Sequence, residues 1–269
     1  MNNRIKGVIF DWAGTTVDYG CFAPVNVFIE VFRKRGVYIT LEEAREPMGL
    51  LKIDHIRAIC QMDRVSKEWE GLHGEEPSEA DVRALYEDFE PMMFRVLENY
   101  AEPIPHVLEA VEAIRNKGIK IGSTTGYTKE MVEVVAREAK KKGYAPDSVV
   151  ASTEVSSGRP LPWMCYANAM NLGVYPMQQM IKVGDTTSDM AEGLNAGMLT
   201  VGVVKGSSTL GLTKEQVDVM EDAELNARIE KAKRVLFEAG AHYVIEDMSE
   251  LPGLIDEMNQ TEESEVAHV

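Results

Sequence analysis

The sequence predicts an α/β fold: a parallel sheet covered by helices on both faces, with an all-helical cap inserted after the first strand. Three observations carry this. From about residue 103 onward, short apolar runs alternate with stretches of helical periodicity, the pattern of parallel strands joined by helical crossovers. Residues 20–100 break that rhythm with three helical stretches and no convincing strand between them. The 269-residue chain, 45% hydrophobic, is long enough for one large domain or two smaller ones with a real core.

Taken in order, Val8-Ile9-Phe10 is a first strand that delivers Asp11 to a turn. "PVNVFIEVFRKRG", "LEEAREPMGLLKIDHIRAICQM" and "EADVRALYEDFEPMMFRVLENY" then read as helices. Loops at the carboxyl ends of parallel strands are where such sheets bind ligands, so an insertion there forms a lid. The expected division is a core of residues 1–19 and 101–269 and a cap of residues 20–100. "IPHVLEAVEAIRNKG" is a helix stopped by Gly118, and "IKIGSTTG" a buried strand. "TKEMVEVVAREAKKKG" starts at a Thr cap and ends in lysines, which suit the two ends of the helix dipole. "SVVAS", "MIKVGD", "LTVGVV" and "HYVI" read as further strands. "PWMCYANAMNLG", "TTSDMAEGLNAG" and "DAELNARIEKAKRVLFEAG" supply the helices between them. The tail "NQTEESEVAHV" is expected to fray.

Composition narrows the function. A net charge of −16 argues against nucleic acid or an anionic membrane surface as partner, because each wants a basic face. A small anionic substrate stays open, since a pocket's local field can oppose the global sign. Cys21, Cys60 and Cys165 show no paired spacing, which suits a reducing, cytoplasmic setting. Neither a signal-peptide core nor a membrane-length apolar run is visible.

Polar residues of a matched kind stand at separate strand ends: Asp11, Thr125 in "STTGY", Arg159 in "SSGRPLPW", and Asp185 and Asp189 in "VGDTTSD". Singly, each has an ordinary role as a cap, a turn hydroxyl or a surface ion pair. Together, a doubly wound sheet converges them on one edge. An aspartate attacks phosphorus when the charges on both are neutralised. Mg²⁺ does this with hard oxygen ligands such as Asp11, Asp185 and a main-chain carbonyl. Thr125 and Arg159 would hold the phosphoryl oxygens.

"DWAGT", "STTG", "GRPLP" and "GDTTSD" resemble the four motifs of the haloacid dehalogenase-like superfamily. The resemblance implies a Rossmann-like core, a cap in the first loop and an aspartyl-phosphate on Asp11. Most phosphatases of that superfamily carry a second acid two residues after the nucleophile, to protonate a leaving alkoxide. Here that position is Ala13. In the cap, "EPMGLLKIDHIRA" spaces Met48, Lys52 and His55 onto one helix face. A lid amine facing an aspartate offers another chemistry. If a carbonyl lies β to phosphorus, Lys52 converts it to an iminium that accepts the electrons of a breaking C–P bond. Lys52 must then be neutral part of the time, with its pKa lowered by desolvation or by nearby positive charge, and His55 and a closed, water-poor cap are the candidates for tuning and proton relay. Two alternatives stay open on these residues. One is a Mg²⁺-dependent phosphomonoester phosphatase in which Lys52 only confers specificity. The other is a binding protein made inert by the loss at position 13.

"FDWAGTTVDYGCFAP", "PMGLLKIDH", "IGSTTGYT", "GRPLPWMCY" and "IKVGDTTSDM" further resemble the phosphonatase family, through cap and core alike. That resemblance implies cleavage of phosphonoacetaldehyde in 2-aminoethylphosphonate breakdown. It makes Asp11 the nucleophile and a Mg²⁺ ligand, the Ala13 carbonyl and Asp185 the other protein ligands, and Asp189 a supporting acid. Lys52 becomes the Schiff-base lysine, with Met48 and His55 beside it. Thr125 and Arg159 match phosphoryl-binding positions, while Cys21, Gly49 and Tyr127 match residues that line the site. A homodimer joined through the cap is also implied; Phe28, Val31 and Phe32 on an early cap helix form an apolar stripe that would suit it, although such a stripe more often belongs to a domain's own core.

Overall fold

The computed structural model describes residues 4–266, with side chains described as far as residue 260. Its sheet has strands β1 (Gly7–Phe10), β2 (Lys120–Thr125), β3 (Ser148–Ala151), β4 (Met180–Gly184), β5 (Leu199–Val203) and β6 (Tyr243–Ile245). They are ordered β3-β2-β1-β4-β5-β6, and every pairing is parallel. β1 is buried on both faces. Val8 and Phe10 join the main core, while Ile9 packs with Cys165, Ala169 and Met180 on the opposite side. A strand covered on both sides has no polar face, which is why β1 reads as an unbroken apolar run. The chain order reverses beside β1, where β2 and β4 flank it, and such switch points open a crevice at the strands' carboxyl ends.

Between β1 and β2 lie α1 (Phe22–Lys34), α2 (Leu41–Arg45), α3 (Lys52–Cys60), α4 (Asp63–His73) and α5 (Glu79–Val96). The core adds α6 (Val107–Asn116), α7 (Lys129–Lys141), α8 (Trp163–Leu172), α9 (Thr187–Asn195), α10 (Lys214–Val219), α11 (Asp222–Glu238) and α12 (Leu251–Val266). α7 starts where the sequence predicts, with Thr128 Oγ1 accepting the Met131 N–H. Two crossings join the cap helices to the core, and they touch each other: Val17 bridges to Pro103, and the Ile104 N–H donates to the Thr16 carbonyl over 2.9 Å.

Some expectations need correcting. α4 has no counterpart among the helices read from the sequence. It lacks a side-chain cap and buries only Val65 and Trp69, too thin a stripe to stand out. "LEEAREPMGLLKIDHIRAICQM" is two helices rather than one, because the chain turns at residues 46–50. Met48 therefore lies in a turn, not on the face of α3 that carries Lys52 and His55. Phe28, Val31 and Phe32 are fully buried. Phe28 stacks on Phe89 at 4.5 Å and on His55 at 3.9 Å, so the stripe is cap core and not an exposed dimer face. The backbone stays helical through Val266 where a frayed tail is expected, and residues 267–269 lie outside the described residues. Among the described residues, no helix is long and apolar enough to cross a membrane.

Candidate active site

At the carboxyl edge of the sheet, Asp11, Ala13, Cys21, Met48, Gly49, Lys52, Thr125, Tyr127 and Arg159 line one narrow cavity. β1 and the turn after it supply Asp11 and Ala13. That turn closes because the Thr15, Thr16 and Val17 N–H groups all converge on the Trp12 carbonyl. Thr125 ends β2, and its Oγ1 accepts the Tyr127 N–H over 3.1 Å, leaving the hydroxyl proton free to donate. The cap contributes Met48, Gly49 and Lys52 from the turn before α3 and from its first residue.

The cap turn is seated by close backbone contact. Gly49 adopts φ +94°, and a Cβ there would meet Thr186 Oγ1 at 2.8 Å. A Cβ on Gly126 would run into the Leu50 carbonyl and come within 2.7 Å of the Gly49 carbonyl. Gly126 is thus bare because cap main chain lies on it. Gly126→Ala should lift the turn and lower kcat/KM about 10²-fold with little change in thermal midpoint, a cost typical of ångström-scale misplacement. Steady-state kinetics beside thermal melts would check this; unchanged kinetics would mean the turn does not need that seat.

Beneath the cavity lies a buried charge network. Arg159 Nη2 donates to Asp11 Oδ1 at 2.6 Å and to Thr124 Oγ1 at 2.8 Å, and its Nε donates to Glu192 Oε2 at 2.9 Å. Its Nη1 makes only a long 3.4 Å contact with the Gly49 carbonyl. Lys182 Nζ donates to Thr124 Oγ1 at 2.7 Å and lies 3.0 Å from Asp189 and 3.1 Å from Glu192. Asp185 accepts from Thr15 Oγ1 at 2.9 Å and from the Ser208 N–H at 2.7 Å. Asp189 caps α9 with Oδ2, which accepts from Thr186 Oγ1 at 2.6 Å. Its Oδ1 lies beside Arg159 and Lys182 but has no aligned hydrogen bond.

Burial pushes the Asp11 and Asp185 carboxyls above the ordinary range; Arg159 opposes this at Asp11, while Asp11 itself adds to it at Asp185. Burial also opposes ionisation of Asp189, but Arg159 and Lys182 overcome it and hold Asp189 below the ordinary range. Asp11, Asp185 and Asp189 offer oxygens within 4.8 Å of one another, a cluster able to hold a metal ion. Arg159 and Lys182 balance only two of the four carboxylates buried here, so full ionisation leaves two negative charges without a counterion. A divalent cation with a taste for hard oxygen donors fits that donor set and that charge.

Lys52 is 3% exposed, and no carboxylate pairs with it among the described residues. Its Nζ lies 5.0 Å from the Tyr127 ring centroid and 5.8 Å from that of Phe28. Burial lowers its pKa, against the pull of the nearby Cys21 and Asp11. His55 is not in the cavity wall. Its Nε2 bonds the Ala44 carbonyl at 3.0 Å, its Nδ1 has no partner, and burial, with the Lys52 charge, holds its pKa well below the ordinary value. A neutral His55 adds no positive charge beside Lys52; desolvation does most of the lowering, with a smaller push from the Arg159 charge. Sequence reasoning missed Lys182, Glu192, Thr124 and Thr15. A lysine inside the apolar run "MIKVG" was the available signal, since a buried strand lysine needs acid partners.

Comparison with known proteins agrees with this architecture. The family model for haloacid dehalogenase-like hydrolases matches residues 5–197. The phosphonoacetaldehyde hydrolase of Bacillus cytotoxicus is 59% identical over 259 residues, covering 96% of this chain and 98% of that protein. A bifunctional phosphonoacetaldehyde hydrolase/aminoethylphosphonate transaminase of Clostridioides difficile is 59% identical over 252 residues, which are 94% of this chain but 40% of that protein. The crystal structure of a phosphonoacetaldehyde hydrolase-like protein from Oleispira antarctica superposes with a TM-score of 0.93 at 38% identity, covering 96% of this chain and 93% of that one. The chain belongs to the phosphonoacetaldehyde hydrolase family of the haloacid dehalogenase-like hydrolases.

Proposed function

We propose that this chain hydrolyses the C–P bond of phosphonoacetaldehyde to acetaldehyde and phosphate, a step in 2-aminoethylphosphonate degradation. One observation carries the reading: a buried amine without an acid partner, Lys52, lines the same cavity as Asp11, while position 13 has no acid to protonate an alkoxide. Neutral Lys52 adds to the aldehyde, and loss of water leaves an iminium. The Asp11 carboxylate attacks phosphorus, and the C–P electron pair moves through carbon onto the iminium nitrogen. An enamine and an aspartyl-phosphate result. Protonation of the enamine on carbon and hydrolysis of the new iminium release acetaldehyde, and water then frees phosphate from Asp11.

Thr125 O–H and Arg159 Nη1 are the donors left over for the phosphonate oxygens. Met48, Gly49, Cys21 and Tyr127 close the wall and exclude water, while His55 stacks behind Phe28 and stiffens the start of α3. Asp11, the Ala13 carbonyl and Asp185, supported by Asp189, would hold Mg²⁺, which would supply positive charge against the negative charge of the nucleophile and the phosphonate. In this reading residues 1–19 and 101–269 are the core and residues 20–100 the closing cap. A homodimer through the cap would use a surface other than the Phe28 stripe. A cytoplasmic setting suits the three buried free cysteines.

The test is release of acetaldehyde and phosphate from phosphonoacetaldehyde, with and without Mg²⁺, set against simple phosphate esters. Equal release of both products and a borohydride-trapped adduct on Lys52 are expected. Faster turnover of esters without an adduct would leave a phosphomonoester phosphatase, and no Mg²⁺-dependent turnover of either would leave a binding protein.

A further inference from the structure

Arg45, the last residue of α2, is a cap side chain that reaches the core loop after β5. Its Nη1 donates to the Gly20 carbonyl at 2.7 Å and to Ser208 Oγ at 3.2 Å, with the Ser208 carbonyl at 3.4 Å. Its guanidinium lies 4.7 Å over the Phe22 ring at the start of α1. Gly211 leaves the room for it, since a Cβ there would stand 3.2 Å from Arg45 Nε. One side chain therefore touches the crossing into the cap, the first cap helix and the loop after β5. That loop is the one that grips Asp185. The Ser208 N–H donates to Asp185 Oδ2, and Thr209 Oγ1 donates to the Asp185 carbonyl at 2.6 Å. On the other side, Arg45 precedes the turn that carries Met48 and Gly49 and leads into α3 at Lys52.

Arg45 is not placed there for stability alone. No carboxylate pairs with it among the described residues, and its Nη2 is buried without a hydrogen-bond partner. A half-buried guanidinium with an unsatisfied nitrogen is a poor way to hold a fold together. We propose that Arg45 is a positioning residue that latches the cap to the Ser208 loop, setting the Lys52 turn in register with the Asp185 side of the cavity. Its consequence for catalysis rests on the functional reading above; the latch itself does not.

The experiment separates the two. Cys21 lines the cavity beneath the cap turn, and Cys165 lies in the core; both are buried. Iodoacetamide labelling is followed peptide by peptide in substrate-free wild type, Arg45→Ala and Arg45→Lys. Arg45→Ala should label Cys21 about 10-fold faster with Cys165 unchanged, and Arg45→Lys should fall between, since lysine keeps the charge but lacks the planar group that lies over Phe22 while its Nη1 bonds Gly20 and Ser208. The positive charge of Arg45 favours the Cys21 thiolate, so its loss alone would slow labelling, and acceleration reads exposure. In parallel, kcat/KM for phosphonoacetaldehyde should fall about 10- to 100-fold, and millimolar guanidinium should restore part of it to Arg45→Ala. Unchanged Cys21 labelling, or equal acceleration at Cys21 and Cys165, overturns the latch. A selective Cys21 effect in a protein whose Lys52 borohydride never traps would keep the latch and overturn the mechanism instead.

Discussion

Lys52→Arg is expected to lower turnover of phosphonoacetaldehyde by on the order of 10⁴-fold or more, and to abolish the borohydride adduct. Arginine keeps a cation and a long stem at the cavity wall, but its guanidinium stays protonated and forms no imine. Without an imine, the C–P bond would have to expel a carbanion. A phosphatase that used Lys52 only to hold substrate would instead keep kcat and raise KM, so the split between the two constants decides. The wild-type pH profile supplies a second arm. Burial lowers the Lys52 pKa from 10.5, so the neutral amine becomes available at a lower pH than for an exposed lysine, and the acid limb of kcat/KM should report its deprotonation. Stability shifts with pH in the same direction. The folded-state pKa is depressed, so whatever stability Lys52 allows is present above pH 10.5 and is lost as pH falls through the folded value. Lys52→Met should therefore raise the thermal midpoint most at low pH and least above pH 10.5, while removing all C–P cleavage. A variant that gains stability as it loses function is what a desolvated reactive lysine predicts.

The difference between Lys52 and its neighbours also explains what the sequence makes visible. Asp11, Thr125 and Asp185 end or follow strands whose apolar runs are unmistakable, and a parallel sheet brings such ends together whatever the intervening loops do. Lys52 is readable because a lysine in a helical lid acquires meaning once Ala13 has replaced an acid. The network below them depends on tertiary placement. Glu192 looks like any helix glutamate until α9 packs on β4 and turns it toward Arg159 and Lys182. Met48 escapes a periodicity argument because a left-handed glycine at position 49 ends the helical path that its spacing assumes. Cap seating is invisible for the same reason: Gly126 is bare because a distant segment, Gly49–Leu50, lies on it. The early apolar stripe carries no information about a partner for a related reason. A helix inserted between two other cap helices buries its apolar face at home, and Phe28 finds Phe89 and His55 rather than a second chain.

Asp11→Asn is expected to remove phosphate release to background, a loss on the order of 10⁴-fold or greater, while leaving the Lys52 adduct intact. An amide is a poor nucleophile toward phosphorus, and its neutral oxygen is a weaker metal ligand than a carboxylate. The fold should survive the change. Arg159 loses one acceptor of charge at 2.6 Å but keeps Glu192 at 2.9 Å and Asp189 at 3.1 Å, so it is not left as an unpaired buried cation. Lys52 and Asp11 line the same cavity, and the Asp11 charge raises the Lys52 pKa, so removing the carboxylate pushes Lys52 further toward the neutral form. Imine formation should therefore be undiminished in Asp11→Asn, and its onset should move to lower pH. Borohydride trapping followed by peptide mass mapping would read this directly, with phosphate release measured in the same samples. The pair of variants divides the reaction between two surfaces. Lys52→Arg leaves a core that still carries its carboxylate but has no electron sink above it, whereas Asp11→Asn leaves a cap that still activates the aldehyde over a core that cannot take the phosphorus. Loss of the adduct in a folded Asp11→Asn protein would show that the carboxylate is needed to build the imine as well, and the division of labour would fail.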